Sequence, residues 1–195
     1  MGKLIGIIVV IALLFVVVTG VSGYNGLVKK NEAVNQQWGQ VENVYQRRAD
    51  LIPNLVETVK GAAKFEQETL TKVVEARASA SQIKLTPEML NDPQSLQKFE
   101  QVQGELTSAL SRLLVTVEQY PELKANANYI ALQDELAGTE NRIANERRRF
   151  TESVQTYNTA VKSFPMNMLA GMFGFGPKAY FEAKEGAEEA PKVNF

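Results

Sequence analysis

The segment RRADLIPNLV, residues 47–56, gathers two guanidinium groups and a carboxylate, Arg47, Arg48 and Asp50, within four positions, with a proline at 53. Such a cluster can cap a helix end, pair across a corner, or hold an anionic group of a partner. Glu66 and Glu140 offer a second kind of chemistry. Two carboxylates in one layer of packed helices can bind a cation, although such sites usually recruit histidine through Glu-x-x-His. The chain contains no histidine and no cysteine. These two zeros remove imidazole bases, thiolate nucleophiles, disulfides, iron–sulfur clusters, and the ligands that zinc, copper and haem usually need. GFG at 174–176 has neither a preceding strand nor a Walker lysine, so no phosphate loop is indicated. The residues therefore point away from an enzyme, and no cofactor, metal or catalytic residue is assigned.

The elements that would position these groups follow from patterning. The 195 residues are 45% hydrophobic, enough for one membrane segment and one domain of ordinary size. With 21 Lys+Arg against 22 Asp+Glu, the net charge is -1, so there is no basic excess and nucleic acid is not an expected partner. Residues 4–21, LIGIIVVIALLFVVVTGV, form eighteen consecutive positions without a charge. At roughly 1.5 Å per residue they nearly cover a hydrocarbon core. They read as a membrane anchor. A cleaved signal peptide is the competing reading, with Val21, Ser22 and Gly23 as small residues at a cut site. Lys3 and the α-amino group balance Lys29 and Lys30, so flanking charge assigns no orientation.

Beyond the anchor, apolar residues keep a three-four period. Leu27, Val34, Trp38, Val41 and Tyr45 precede Pro53, and Ile52, Val56, Val59, Ala63, Leu70 and Val73 lie around and after it. The spacing predicts helices over about 24–49 and 51–82 with a turn at Pro53, Asp50 capping the second, then 93–119 and 126–163; the competing reading of Pro53 is a kink in one helix of nearly sixty residues. Asp92 before Pro93 is an N-cap candidate, and Pro121 stops the third helix. The expected fold is all-α: an N-terminal transmembrane helix (1–23), an antiparallel, up-and-down four-helix bundle (24–165), and an apolar Gly/Met/Phe segment with an acidic tail (166–195).

This geometry predicts three groupings. A corner at Pro53 would lie roughly 40 Å from the membrane, beside the 118–126 connection. Arg47, Arg48 and Asp50 would then cap and pair around the turn while Leu51, Ile52, Leu55 and Tyr120 seal the bundle end, or Arg47, Arg48, Asp50, Tyr120, Glu122 and Lys124 would form a docking face for another protein. The fourth helix would return MNMLAGMFGFG to the bilayer. Met166, Met168, Leu169, Met172, Phe173 and Phe175 would there form an adaptable apolar surface for lipid or a partner, or fold over the bundle's open end. On the seams, Asn31, Arg48, Glu66, Arg77, Gln103, Glu140 and Arg147 are polar. Buried charge must be paired, so Glu66, Arg77, Glu140 and Arg147 are expected to fix helix register through ion pairs or hydrogen bonds, Gln103 among the partners, with Glu66 and Glu140 near one layer. ERRRF at 146–150 reads as a solvated face with Arg147 inward, and the acidic stretch around 182–189 reads as mobile.

The pattern YNGLV (24–28), Trp38, RRADLIPNLVETVKG (47–61), Glu66, EAR (75–77), EQYPELKA (118–125), LQDELAGTENRIANERRRF (132–150), YN (157–158) and GFGPKAYFEA followed by PKVNF resembles the LemA family of bacterial membrane proteins. The resemblance covers nearly the whole chain. Members often carry histidine before the glutamate matching Glu66, and a Tyr-Asn pair where this chain has Phe150-Thr151; here Phe65 precedes Glu66, so no role that needs the histidine transfers. The resemblance implies an anchored helical bundle, single-pass in the bacterial inner membrane, with one branch associated with magnetosome membranes; it implies no particular reaction. Two readings follow: a non-enzymatic interaction or scaffold module with an unidentified protein partner, and a lipid-interacting or membrane-shaping protein using 166–176.

Overall fold

A computed structural model describes residues 2–61 and 66–181, and every regular element among them is helical. Helix α1 runs without interruption from Gly2–Lys60. The turn expected at Pro53 is absent. A proline inside a helix has no N–H for the carbonyl four residues earlier, which here belongs to Ala49. That carbonyl is served from another helix: Arg77 Nε donates to Ala49 O at 2.8 Å. The predicted helices 24–49 and 51–82 are thus one helix through residue 60 and a shorter α2, Gln67–Gln82. Ala63 and Phe65 lie outside the described residues, as does the acidic stretch from 182.

The later boundaries follow their local signals. After a 3-10 turn at Pro87–Asn91, Asp92 accepts from the backbone N–H groups of Gln94 and Ser95 and starts α3, Pro93–Val117, with proline in the first turn. Pro121 both ends the preceding path and opens a short α4, Pro121–Lys124. Asn126 accepts from the N–H groups of Asn128 and Tyr129 at 2.9 and 3.2 Å, capping α5, Ala127–Lys162. The last helix is α6, Met166–Phe173, closed by Gly174 at φ 74, a left-handed position that suits glycine.

The four long helices alternate in direction. Gln37 meets Glu146 and Arg47 meets Glu135, so α1 and α5 are antiparallel. Leu96 and Phe99 cluster with Leu27–Tyr45 of α1, whereas Leu106–Val117 cluster with Ile52–Val59, so α3 runs with α1. The apolar interior falls into two clusters. The cluster nearer the apolar N-terminal run is aromatic: Trp38 lies 5.1 Å from Phe150 and 6.1 Å from Phe99, centroid to centroid. The far cluster is aliphatic, built on Ile52, Leu55, Val59, Leu70, Leu113 and Leu123. Full burial of such side chains contributes about 1.5–3 kcal/mol each, which is what holds the helices together.

Candidate functional site

Between the two clusters sits a polar layer. Arg48 follows Tyr45 of one cluster and precedes Ile52 of the other, and is 2% exposed. Its Nη1 donates to Glu140 Oε1 at 2.9 Å and to Thr107 Oγ1 at 3.0 Å, its Nη2 donates to Gln103 Oε1, and the guanidinium lies 5.1 Å from the Tyr45 ring centroid. Glu140 is 37% exposed and borders a cavity of about 140 Å³ with Leu110 and Leu136. Arg147 pairs with Glu100 and stacks 4.1 Å from the Phe181 ring centroid. Burial pushes the Tyr45 phenol above its ordinary range, opposed by the positive charges of Arg147 and Arg48. Arg48, Gln103 and Glu140, placed on the seam by spacing, thus meet in one layer.

Glu66 does not join them. It is exposed immediately before α2, where its Oε2 accepts from Thr69 Oγ1 at 3.0 Å. Because the chain turns after residue 60 rather than at 50, Glu66 belongs to the far end and Glu140 to the middle, so the two carboxylates share no layer. Among the described residues no group of three or more acidic side chains is placed to hold a metal ion. Arg77 reaches a backbone carbonyl instead of a carboxylate.

The expected distal grouping also separates. Arg47 pairs with Glu135 at 2.6 Å, Asp50 accepts from Gln46 at 2.8 Å, and Arg48 is buried. These residues lie on the flank of α1, about 15–20 Å below its end at the helical rise. Tyr120, Glu122 and Lys124 do lie at the far end. Tyr120 precedes α4 and packs against the aliphatic cluster, and Lys124 pairs with Glu118 at 2.6 Å. An open groove of about 570 Å³ between α2 and α3, lined in part by Lys72, Gln101, Glu105 and Arg112, includes none of the predicted site residues.

At the opposite end, α6 lies against α1 just beyond residues 4–21. A Cβ on Gly23 would meet Met166 Sδ at 2.5 Å and Leu169 Cδ1 at 3.2 Å, so glycine permits this approach. Tyr24 meets Phe173 and Phe175 edge to face, at 4.9 and 5.7 Å. Ala170 is buried, Met166, Leu169 and Phe175 are half-buried, and Met168, Met172 and Phe173 are exposed. The segment therefore both folds over the domain and leaves an apolar face outside.

Sequence reasoning missed the strap that follows. Asn158 Nδ2 donates to Lys178 O and Lys178 N donates to Asn158 Oδ1, both at 2.8 Å. Tyr157 Oη donates to Gly176 O at 3.0 Å, and Ala179 N to Leu90 O at 2.7 Å. Phe181 inserts 5.4 Å from Phe150. Burial pulls the Lys178 ammonium below its ordinary range, against the opposing pull of Glu32 and Glu88. The adjacent Tyr157-Asn158 pair was the available signal, since two hydrogen-bonding side chains at a buried helix face need partners.

Among the described residues these features define an all-helical protein whose N-terminal helix is long and apolar enough to cross a membrane, with its most apolar eighteen-residue window left uncovered by the other described residues. Within that class, the chain belongs to the LemA family, whose model matches residues 37–195. It is 27% identical over 195 residues to the magnetosome protein MamQ of Magnetospirillum gryphiswaldense, covering 92% of this chain and 72% of that one. It is 26% identical to magnetosome protein MamQ 2 of Paramagnetospirillum magneticum, covering 93% and 73%. Protein LemA of Metamycoplasma hominis is 24% identical over 180 residues, covering 89% and 78%.

Proposed function

We propose that this protein is a non-enzymatic interaction module of the bacterial inner membrane, which holds the far end of a helical domain out from the bilayer for a protein partner. The observation that supports this reading most is the continuity of α1 from Gly2–Lys60. One rod is at once the candidate anchor and the central packing helix, and from residue 23 to 60 it reaches about 55 Å. The polar seam supports the non-enzymatic part of the reading: Arg48, Arg77 and Arg147 are engaged in holding helices together. With Arg47 and Asp50 displaced to the flank, the docking face narrows to Tyr120, Glu122 and Lys124.

Site-specific photocrosslinking in cells tests it. A photoreactive residue at position 122 of the full-length chain is expected to give a discrete protein adduct that is absent with the same residue at position 105, on the flank of α3. Identical adducts at both positions, or none at 122, would contradict a distal docking role.

A further inference from the structure

Residues 163–177 form fifteen consecutive positions without a charged side chain, between Lys162 and Lys178. Their central part is α6, and its two faces are unlike. The inner face is spoken for, with Ala170 buried and Met166 and Leu169 set against Gly23. The outer face is apolar and open: Met172 is 77% exposed, Met168 and Phe173 are also exposed, and Phe164, just before the helix, is 81% exposed. Positions 168 and 172 lie four residues apart on α6, the spacing of one helical stripe, and Phe164 just precedes the helix.

The position of this stripe along α1 indicates what covers it. Residues 4–21 nearly match a hydrocarbon core of about 30 Å, and the headgroup zone adds roughly 5–7 Å on each side. At about 1.5 Å per residue, that zone spans about residues 22–26 of α1. Gly23 and Tyr24, the residues that touch α6, fall inside it. Methionine and phenylalanine on an uncharged stripe at this depth suit the boundary between headgroups and acyl chains, and Tyr24 beside them is a residue favoured at that boundary. The strap behind the helix holds the face outward, through Tyr157 to Gly176 and Asn158 to Lys178.

We propose that the outer face of α6, with Phe164 just before it, is a lipid-binding surface: Met168, Met172 and Phe173 of the helix and the preceding Phe164 enter the headgroup–acyl boundary beside the exit of α1 and seat the domain on the membrane. The proposal rests on residues 4–21 crossing the bilayer and is independent of any partner at the far end. Domain orientation would then be set by two contacts with lipid, a crossing helix and an in-plane one, rather than by a single swivelling anchor.

The absence of native cysteine makes depth measurement direct. Full-length protein is placed, one chain per disc, in nanodiscs of phosphatidylethanolamine and phosphatidylglycerol. An environment-sensitive fluorophore is attached through Met172→Cys, Met168→Cys, Val16→Cys or Glu105→Cys in turn, and lipids carrying a nitroxide near the top of the acyl chain act as quencher. The expected result is quenching at positions 168 and 172 several-fold stronger than at 105, with unchanged helical circular dichroism. Quenching at 16 but not at 168 or 172 would overturn the interfacial surface while leaving the span intact. Quenching at none of 16, 168 and 172 would overturn both. Protection of 168 and 172 from lipid nitroxide and aqueous iodide alike would also overturn the proposal, because protein would then cover the face.

Discussion

Replacing Arg77 tests the explanation for an unbroken α1. In Arg77→Met the apolar stem remains but the Nε donor to Ala49 O is gone. The carbonyl cannot recover its helical bond, because residue 53 is proline. An unsatisfied backbone acceptor costs about 1–3 kcal/mol. Ala49 and Arg77 are only half-buried, so water recovers part of this and about 1.5 kcal/mol is expected. The diagnostic step is the second mutation. Pro53→Ala supplies an N–H in line with Ala49 O, so in that background Arg77→Met should cost about 1 kcal/mol less, a coupling of the size contacting groups show. Thermal unfolding of the full-length chain in detergent micelles, followed by circular dichroism at the helical band, reads this as a loss of roughly 3–6 °C for the single variant. The coupling should restore roughly 2–4 °C. Additivity of the two substitutions to within about 0.3–0.5 kcal/mol would refute the view that Arg77 compensates for the proline.

The polar layer gives an ordering. Glu140→Leu strands a guanidinium that is 2% exposed, whereas Arg48→Met releases a carboxylate that is 37% exposed and deprives Gln103 of a donor. Glu140→Leu should therefore cost about 3 kcal/mol, the low end for a broken buried pair, and Arg48→Met about 1–2 kcal/mol. The same melts would contradict this if Arg48→Met were the worse of the two. At the start of α3, the Ser95 hydroxyl and the N–H of Gln94 hold the Asp92 carboxyl below its ordinary range. A lowered folded-state value gives stability that is complete above the unfolded value of about 3.9 and lost as pH falls through the lowered one. The melting difference between wild type and Asp92→Ala should be constant from pH 7 to about 5 and close in acid below 3.9 or so; a difference independent of pH would refute the charge-assisted cap.

Legibility tracked how local the deciding contacts are. The start of α3 could be read because Asp92 accepts from N–H groups two and three residues on and Pro93 suits the first helical position; Asn126 caps α5 by the same local contacts, though no reading named it. Arg48, Gln103 and Glu140 could be placed on a common seam because the three-four period carries each of them inward. Pro53 was misread because its compensation comes from Arg77, on another helix, and nothing near residue 53 announces it. That displacement carried Glu66 to the far end, out of the layer it was expected to share with Glu140, and separated Arg47 and Asp50 from Tyr120 and Glu122. The strap over 174–181 was missed for a different reason. It is extended and irregular, so no period marks Phe181 as a core residue, and its register is set by Asn158 and the carbonyl of Leu90.

One continuous helix, Gly2–Lys60, carries the domain from the candidate membrane span to its far end. Spin labels at Glu42→Cys and Lys60→Cys, both exposed on α1, in the full-length chain in nanodiscs, measure this directly by pulsed dipolar spectroscopy. A continuous helix across these 18 intervals predicts a narrow distance distribution centred near about 27 Å. A corner at Pro53 would fold the second label back towards the first, and a distribution centred near about 10–15 Å would contradict a continuous α1.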